Sequence, residues 1–175
     1  MVKAIGQPVK RVEDGRFVTG KGRYVDDIQL RGMTFAAVVR SPVAHARIQN
    51  IDTNEATRSA GVIAVFTGED MHRDGVIGVP CGWQVDFKNG ETMKEPPHPV
   101  LAQEKVRYVG DAVAVVVADS PDAAEDAAEK VRVEYEELPV VVDAVEAVQP
   151  GAPRIFDDVP NNIPFDWGLG DKEKT

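Results

Sequence analysis

Apolar residues recur along this chain with two different periods, and the change of period marks its elements. Residues 34–39 form an apolar run ending on β-branched side chains. Residues 46–51 set Ile48 and Ile51 among polar neighbours. Residues 62–66 are apolar without interruption, as in a strand covered on both faces. All three are expected to be strands. Between the last two, Asp52 and Glu55 have capping-box spacing, and Gly61 can supply a left-handed cap. A short helix over residues 53–60 is therefore expected. The same alternation returns after residue 104. Residues 105–109 read as a strand, Gly110-Asp111 as a turn, and residues 112–117 as the most apolar strand of all. Ser120 is a good N-cap and Pro121 suits the first helical position, where a missing N–H costs nothing. Ala124, Ala127, Ala128 and Val131 then share one helix face. Residues 132–135 predict the next strand, ended by Leu138-Pro139.

Elsewhere the pattern fails. Gly15, Gly20, Gly22 and Gly32 break up the first thirty residues, which read as a loop-rich entry with one short strand near residues 23–25. Residues 68–103 carry glycines at 75, 78, 82 and 90 and prolines at 80, 96, 97 and 99. They read as an irregular insertion with one hairpin around residues 76–87. Residues 151–175 combine Pro153, Pro160 and Pro164 with Ile155, Phe156, Ile163, Phe165 and Trp167. That is too apolar for a free linker and suits an arm lying on another surface. The pattern thus gives two strand–helix–strand units, roughly residues 46–67 and 112–136, in an α/β or α+β domain spanning residues 1–150, with an extended arm over residues 151–175.

Composition narrows the partners. The 175 residues are 43% hydrophobic and 28% charged, enough for a core in an ordinary globular domain. A net charge of -9 argues against nucleic-acid binding, which needs basic patches, and against docking on anionic membranes. The single cysteine, Cys81, excludes an internal disulfide. No apolar leader opens the first fourteen residues and no run is long enough to span a bilayer, so a cytoplasmic protein is expected.

Candidate chemistry is thin. Thr19-Gly20-Lys21-Gly22 lacks the glycine spacing and the Ser or Thr after lysine of a phosphate loop, so a tight turn is the better reading. His45, His72, His98 and Cys81 have no zinc spacing. Cys81 in Pro80-Cys81-Gly82-Trp83 has no base marked by sequence, so a buried or half-buried thiol is expected. Asp26-Asp27 and the run Glu134-Tyr135-Glu136-Glu137 offer carboxylates. Alternation puts Glu134 and Glu136 on the face opposite Tyr135, which favours a solvated face over acid–base work.

Five segments nevertheless resemble the opening domain of molybdenum hydroxylase large subunits, the family of carbon monoxide dehydrogenase, aldehyde oxidase and xanthine dehydrogenase. They are Arg11-Val12-Glu13-Asp14 leading to Thr19-Gly20-Lys21-Gly22-Arg23-Tyr24-Val25-Asp26-Asp27; Val39-Arg40-Ser41-Pro42 followed by Ala44-His45-Ala46-Arg47-Ile48; Gly61-Val62-Ile63-Ala64-Val65-Phe66-Thr67; Pro99-Val100-Leu101-Ala102 followed by Val106-Arg107-Tyr108-Val109-Gly110-Asp111-Ala112; and Val133-Glu134-Tyr135-Glu136-Glu137-Leu138-Pro139. They run in the family's order over residues 5–171, and their details resemble the bacterial carbon monoxide dehydrogenase branch.

The resemblance implies an α/β-hammerhead fold, with the two units on a mixed sheet. It implies a parent enzyme that inserts oxygen from water into an aldehyde, a purine, carbon monoxide or an aromatic heterocycle. That enzyme would use molybdopterin cytosine dinucleotide, with two [2Fe–2S] clusters on a small subunit and FAD on a medium subunit. The family's cofactor loops and catalytic glutamate lie beyond the hammerhead, so the resemblance carries no catalytic, cofactor-binding or metal-binding residue onto this chain. The expected role is structural and subunit contact, with the arm leading toward a molybdenum-cofactor domain. The competing expectation is a stand-alone, non-catalytic binding module that reuses the fold.

Overall fold

A computed structural model describes Gly6 and residues 8–170. Residues 1–5, residue 7 and the last five residues of the expected arm, 171–175, lie outside them. The chain forms two compact units, one ending at Met33 and one beginning at Thr34.

The first unit holds helix α1, Asp14–Val18, and a 3-10 turn, Val25–Asp27, and neither buries a residue. The strand expected near residues 23–25 is replaced by this turn. The Asp27 carboxylate accepts the Tyr24 N–H at 2.8 Å, and such a local bond competes with extended pairing.

The second unit has six strands: β1 Phe35–Arg40, β2 Ala46–Asp52, β3 Val62–Thr67, β4 Lys105–Val106, β5 Ala112–Ala118 and β6 Arg132–Glu137. Four helices accompany them: α2 Asn54–Thr57, α3 Gly68–Arg73, α4 Pro121–Ala128 and α5 Ala144–Ala147. The strands make two antiparallel sheets, ordered β1-β5-β3 and β4-β2-β6. The α/β class holds, but two antiparallel sheets stand where a single mixed sheet was expected. The reason is connection length. Nine residues, 53–61, join β2 to β3, and a parallel crossover needs about a dozen or more. The first unit therefore delivers its two strands to different sheets, and the second does so as well although its link, residues 119–131, is longer. The units interlock: β2 pairs with β6, and β3 with β5.

This arrangement makes β5 central and β3 an edge. Val113, Ala114, Val116 and Ala118 of β5 are buried, whereas Ile63 of β3 is 59% exposed. The unbroken apolar run of β3 does not mean burial on both faces, and Val115 of β5 is only half-buried. Val116 and Ala114 pack against Ala56 of α2 and against Ala127 and Val131 at the end of α4. Val113 packs with Ala46, Ala102 and Val106 of the second sheet's side. The largest fully buried side chains are valines, so the layers meet at close range. Gly61 belongs to this closeness. It has φ +80°, and a Cβ there would stand 2.6 Å from Asp119 Oδ1 and 3.0 Å from the Ala123 Cβ. It closes the turn into β3 rather than capping α2, which already ends at Thr57.

Three elements depart from the sequence pattern. Helix α3 starts the stretch expected to be irregular. Asp70 accepts from both the N–H and the hydroxyl of Thr67, a capping box readable in Thr67-x-x-Asp70. Helix α5 is capped by Asp143, which accepts from the Val145 and Glu146 amides. The hairpin lies at residues 85–93 and not at 76–87: Asp86 bridges Thr92, and Asn89-Gly90 forms its tip with Gly90 at φ +85°. Asn-Gly is the turn pair that signals it. Strand β4 stops at Val106 because the Arg107 N–H turns to the Asp111 carboxylate at 3.0 Å. Among the described residues no helix is long and apolar enough to cross a membrane.

Candidate functional site

The irregular segment and the arm build one surface together. Prolines 96, 97, 99 and 164 lack the donor that a sheet ladder needs, yet single backbone bonds still join the two segments. Lys94 N–H donates to Pro164 O at 2.8 Å, and Lys88 N–H to Asp166 O at 3.0 Å. The Lys88 ammonium meets the Asp166 carboxylate at 2.6 Å. Trp83 and Trp167 stand edge to face, with centroids 5.4 Å apart. Glu95 pins the start of the loop by accepting the Cys81 N–H at 2.6 Å and the Gln84 amide at 2.8 Å. Those bonds, first the one from the Cys81 backbone, hold its carboxyl below the ordinary range. Between loop and arm opens an apolar cleft of about 260 Å³ flanked by Val79, Met93, His98 and Phe165. Exposed rings accompany it: Phe165 in its lining is 48% exposed, and the loop and arm carry Trp83 at 70% and Trp167 at 43%.

A second cleft of about 360 Å³ lies at the root of the arm, where His45, Arg47, Lys105, Arg154 and Asp157 line it together with apolar groups such as Leu138 and Pro139. The arm turns back here. Asn161 and Asn162 take left-handed φ of 56° and 54°. The Asn162 side chain donates to Ala147 O and Pro153 O and accepts from the Ile155 N–H. Val159 is buried, Lys105 pairs with Asp157 at 2.6 Å, and Arg107 lies 4.5 Å over the Phe156 ring. Residues 151–162 thus fold onto their own domain instead of running straight away from it.

The sequence candidates separate in space. Thr19-Gly20-Lys21-Gly22 closes α1: Lys21 N–H donates to Arg16 O, and Gly20 N–H to Phe17 O, with Gly20 at φ +69°. Two bonds of this kind make a Schellman turn, and they satisfy helix carbonyls rather than a phosphate. Asp27 is spent on the 3-10 cap, while Asp26 is exposed. Glu134 and Glu136 project to solvent from β6, with Glu136 accepting from Gln49 at 2.6 Å, and Tyr135 points inward, its hydroxyl without a partner. Burial raises that phenol above its ordinary value. His72 sits on α3, while Cys81 and His98 flank the apolar cleft. Cys81 is exposed, against the expectation of a buried or half-buried thiol, because its loop carries no layer above it; its Sγ donates to Trp83 O at 3.2 Å. Among the described residues no three of His, Cys, Asp or Glu gather to hold a metal ion. An iron–sulfur cluster needs several cysteine thiolates, and this sequence holds Cys81 alone. Sequence reasoning missed the pairing of Trp83 with Trp167, because nothing local links positions so far apart.

Residues 19–139 match the family model described as "Aldehyde oxidase and xanthine dehydrogenase, a/b hammerhead domain". The carbon monoxide dehydrogenase large chain of Hydrogenophaga pseudoflava is 40% identical over 93% of this chain and 20% of its own length. The nicotine 6-hydroxylase large subunit of Paenarthrobacter nicotinovorans is 41% identical over 91% of this chain and 19% of its own. Among solved structures, quinoline 2-oxidoreductase from Pseudomonas putida 86 superposes with a TM-score of 0.75 and 43% identity, over 90% of this chain and 19% of that one. The chain therefore spans about a fifth of the length of these relatives.

Proposed function

Because this chain belongs to the aldehyde oxidase and xanthine dehydrogenase family through its a/b hammerhead domain, we propose that it is the structural and subunit-contact domain of a cytoplasmic, molybdopterin-dependent hydroxylase. The observation that carries the reading is the exposed aromatic face of Trp83, Phe165 and Trp167. Burying each such ring is worth roughly 1.5–3 kcal/mol. A contiguous aromatic patch on a soluble domain marks a surface that another polypeptide covers. In this reading the arm leads to the molybdenum-cofactor domain, which covers the face. The Fe–S small subunit and FAD medium subunit complete the assembly. The bound cofactor would supply oxygen transfer from water to an aldehyde, purine, carbon monoxide or aromatic heterocycle. This domain would hold the cofactor domain in place and exclude water along the contact, and no reaction step would run through its own residues.

Affinity purification of the tagged protein from its native cells, with molybdenum and iron measured in the recovered material, tests this. Stoichiometric molybdenum is expected with the unaltered sequence, and about a hundredfold less or lower after Trp83→Ala with Trp167→Ala, a loss of roughly 3 kcal/mol of contact or more. Recovery of the unaltered protein as a colourless, metal-free monomer would favour the stand-alone binding module and overturn the proposal.

A further inference from the structure

We propose that the second cleft, at the root of the arm, is a receptor for a phosphate group. It is independent of the aromatic face and of the assembly inferred from it. Residues 34–170 carry 23 Asp and Glu against 11 Lys and Arg, yet three of those cations, Arg47, Lys105 and Arg154, line this one cleft. Arg47 and Lys105 are register partners across β2 and β4, so they stand on the same face of the sheet. The single carboxylate of the lining, Asp157, is engaged by the Lys105 ammonium. That bond is the main reason its carboxyl lies below the ordinary value. Among the described residues neither Arg47 nor Arg154 has an ion-pair partner. Arg154 makes only a long 3.5 Å bond to the Asp157 carbonyl. Two exposed guanidinium forks and a buried ammonium lining one cleft can offer an oxyanion several charge-assisted bonds at once.

His45 bounds the cleft wall at 5% exposure. Its Nδ1 donates to Pro139 O at 2.9 Å, which fixes the ring, and its Nε2 is closed off from the cleft. Selection among oxyanions falls to the cations. A hydrogen phosphate presents oxygens on several sides to Arg47, Arg154 and the Lys105 ammonium, whereas a carboxylate presents two in one plane.

The experiment is an amide NMR titration of the 175-residue chain with inorganic phosphate, adenosine 5′-monophosphate and succinate, at constant ionic strength. Saturable shifts are expected at Arg47, Lys105 and residues 151–157 for both phosphates, with succinate weaker. Tighter binding of the nucleotide would mark the phosphate as part of a larger ligand, and tighter binding of inorganic phosphate would mark a free ion; both agree with the proposal. Arg154→Gln, outside either sheet, should weaken phosphate about tenfold, while Arg58→Gln, in the separate cleft of Asp52 and Arg132, should leave it unchanged. Non-saturable shifts, succinate binding as well as phosphate, or an Arg154→Gln variant that binds normally would each overturn it.

Discussion

The six-stranded body and the loop-and-arm surface spend their apolar residues in opposite ways. In the body the buried apolar side chains are alanines and valines, and among the described residues no Phe, Tyr or Trp ring is buried. In the loop and arm the apolar residues are large, and Trp83, Phe165 and Trp167 stand in solvent. Small side chains let α2 and α4 settle close to β5, where dense packing leaves no room for a ring. Large side chains in a segment held by a few backbone bonds have no layer beneath them to fill. The packed core therefore resides in the first region and the exposed rings in the second.

The sharpest way to break that comparison is a charge in the body. Val116→Asp would bury an unpaired carboxylate between β5 and the two helices, at a cost of about 3–5 kcal/mol. That is a large part of the stability of a domain this size. Urea denaturation should show an unfolded or barely folded protein; a cooperative transition near that of the original sequence would mean β5 is not the centre of the core.

Next in size is Gly78→Val in the second region. A Cβ there collides with the His98 carbonyl across the loop, and overpacking of this kind costs roughly 1–3 kcal/mol. The loss should be local. Proteolysis and amide exchange should quicken over residues 76–98 while the amides of β5 keep their protection. Equal loss of protection in β5 would show that the two regions unfold as one.

The smallest effect is expected where the regions meet, at α3. Asp70→Ala removes the capping box and should cost about 1 kcal/mol near neutral pH. Hydrogen bonds from Thr67 hold the Asp70 carboxyl below its ordinary 3.8. A depressed folded value means the contribution is complete above the ordinary pKa and is lost as pH falls through the folded one. The difference between Asp70→Ala and the original sequence should thus shrink below about pH 3.8, which paired urea titrations at neutral and acid pH would show. A difference that persists unchanged into acid would assign Asp70's role to something other than its charge.

Local chemistry alone determined the elements whose signals are short-range: β5 from its valines, α4 from Ser120 and Pro121, and the turns at Gly61 and Gly110. The capping box of α3 and the Asn89-Gly90 hairpin were equally local, hidden by the surrounding glycines and prolines. Family membership was legible in the ordered segments from Arg11 to Pro139. Tertiary structure decided the rest, because it turned on distance. The nine-residue link between β2 and β3 sent their strands to separate sheets, and β3 became an edge because β1 took the other side of β5. Both clefts needed the return of the arm. Lys105 meets Asp157, and Trp83 meets Trp167, only once residues 151–167 fold back. No periodicity encodes such a return, since it depends on where Asn162 finds the carbonyls of Ala147 and Pro153.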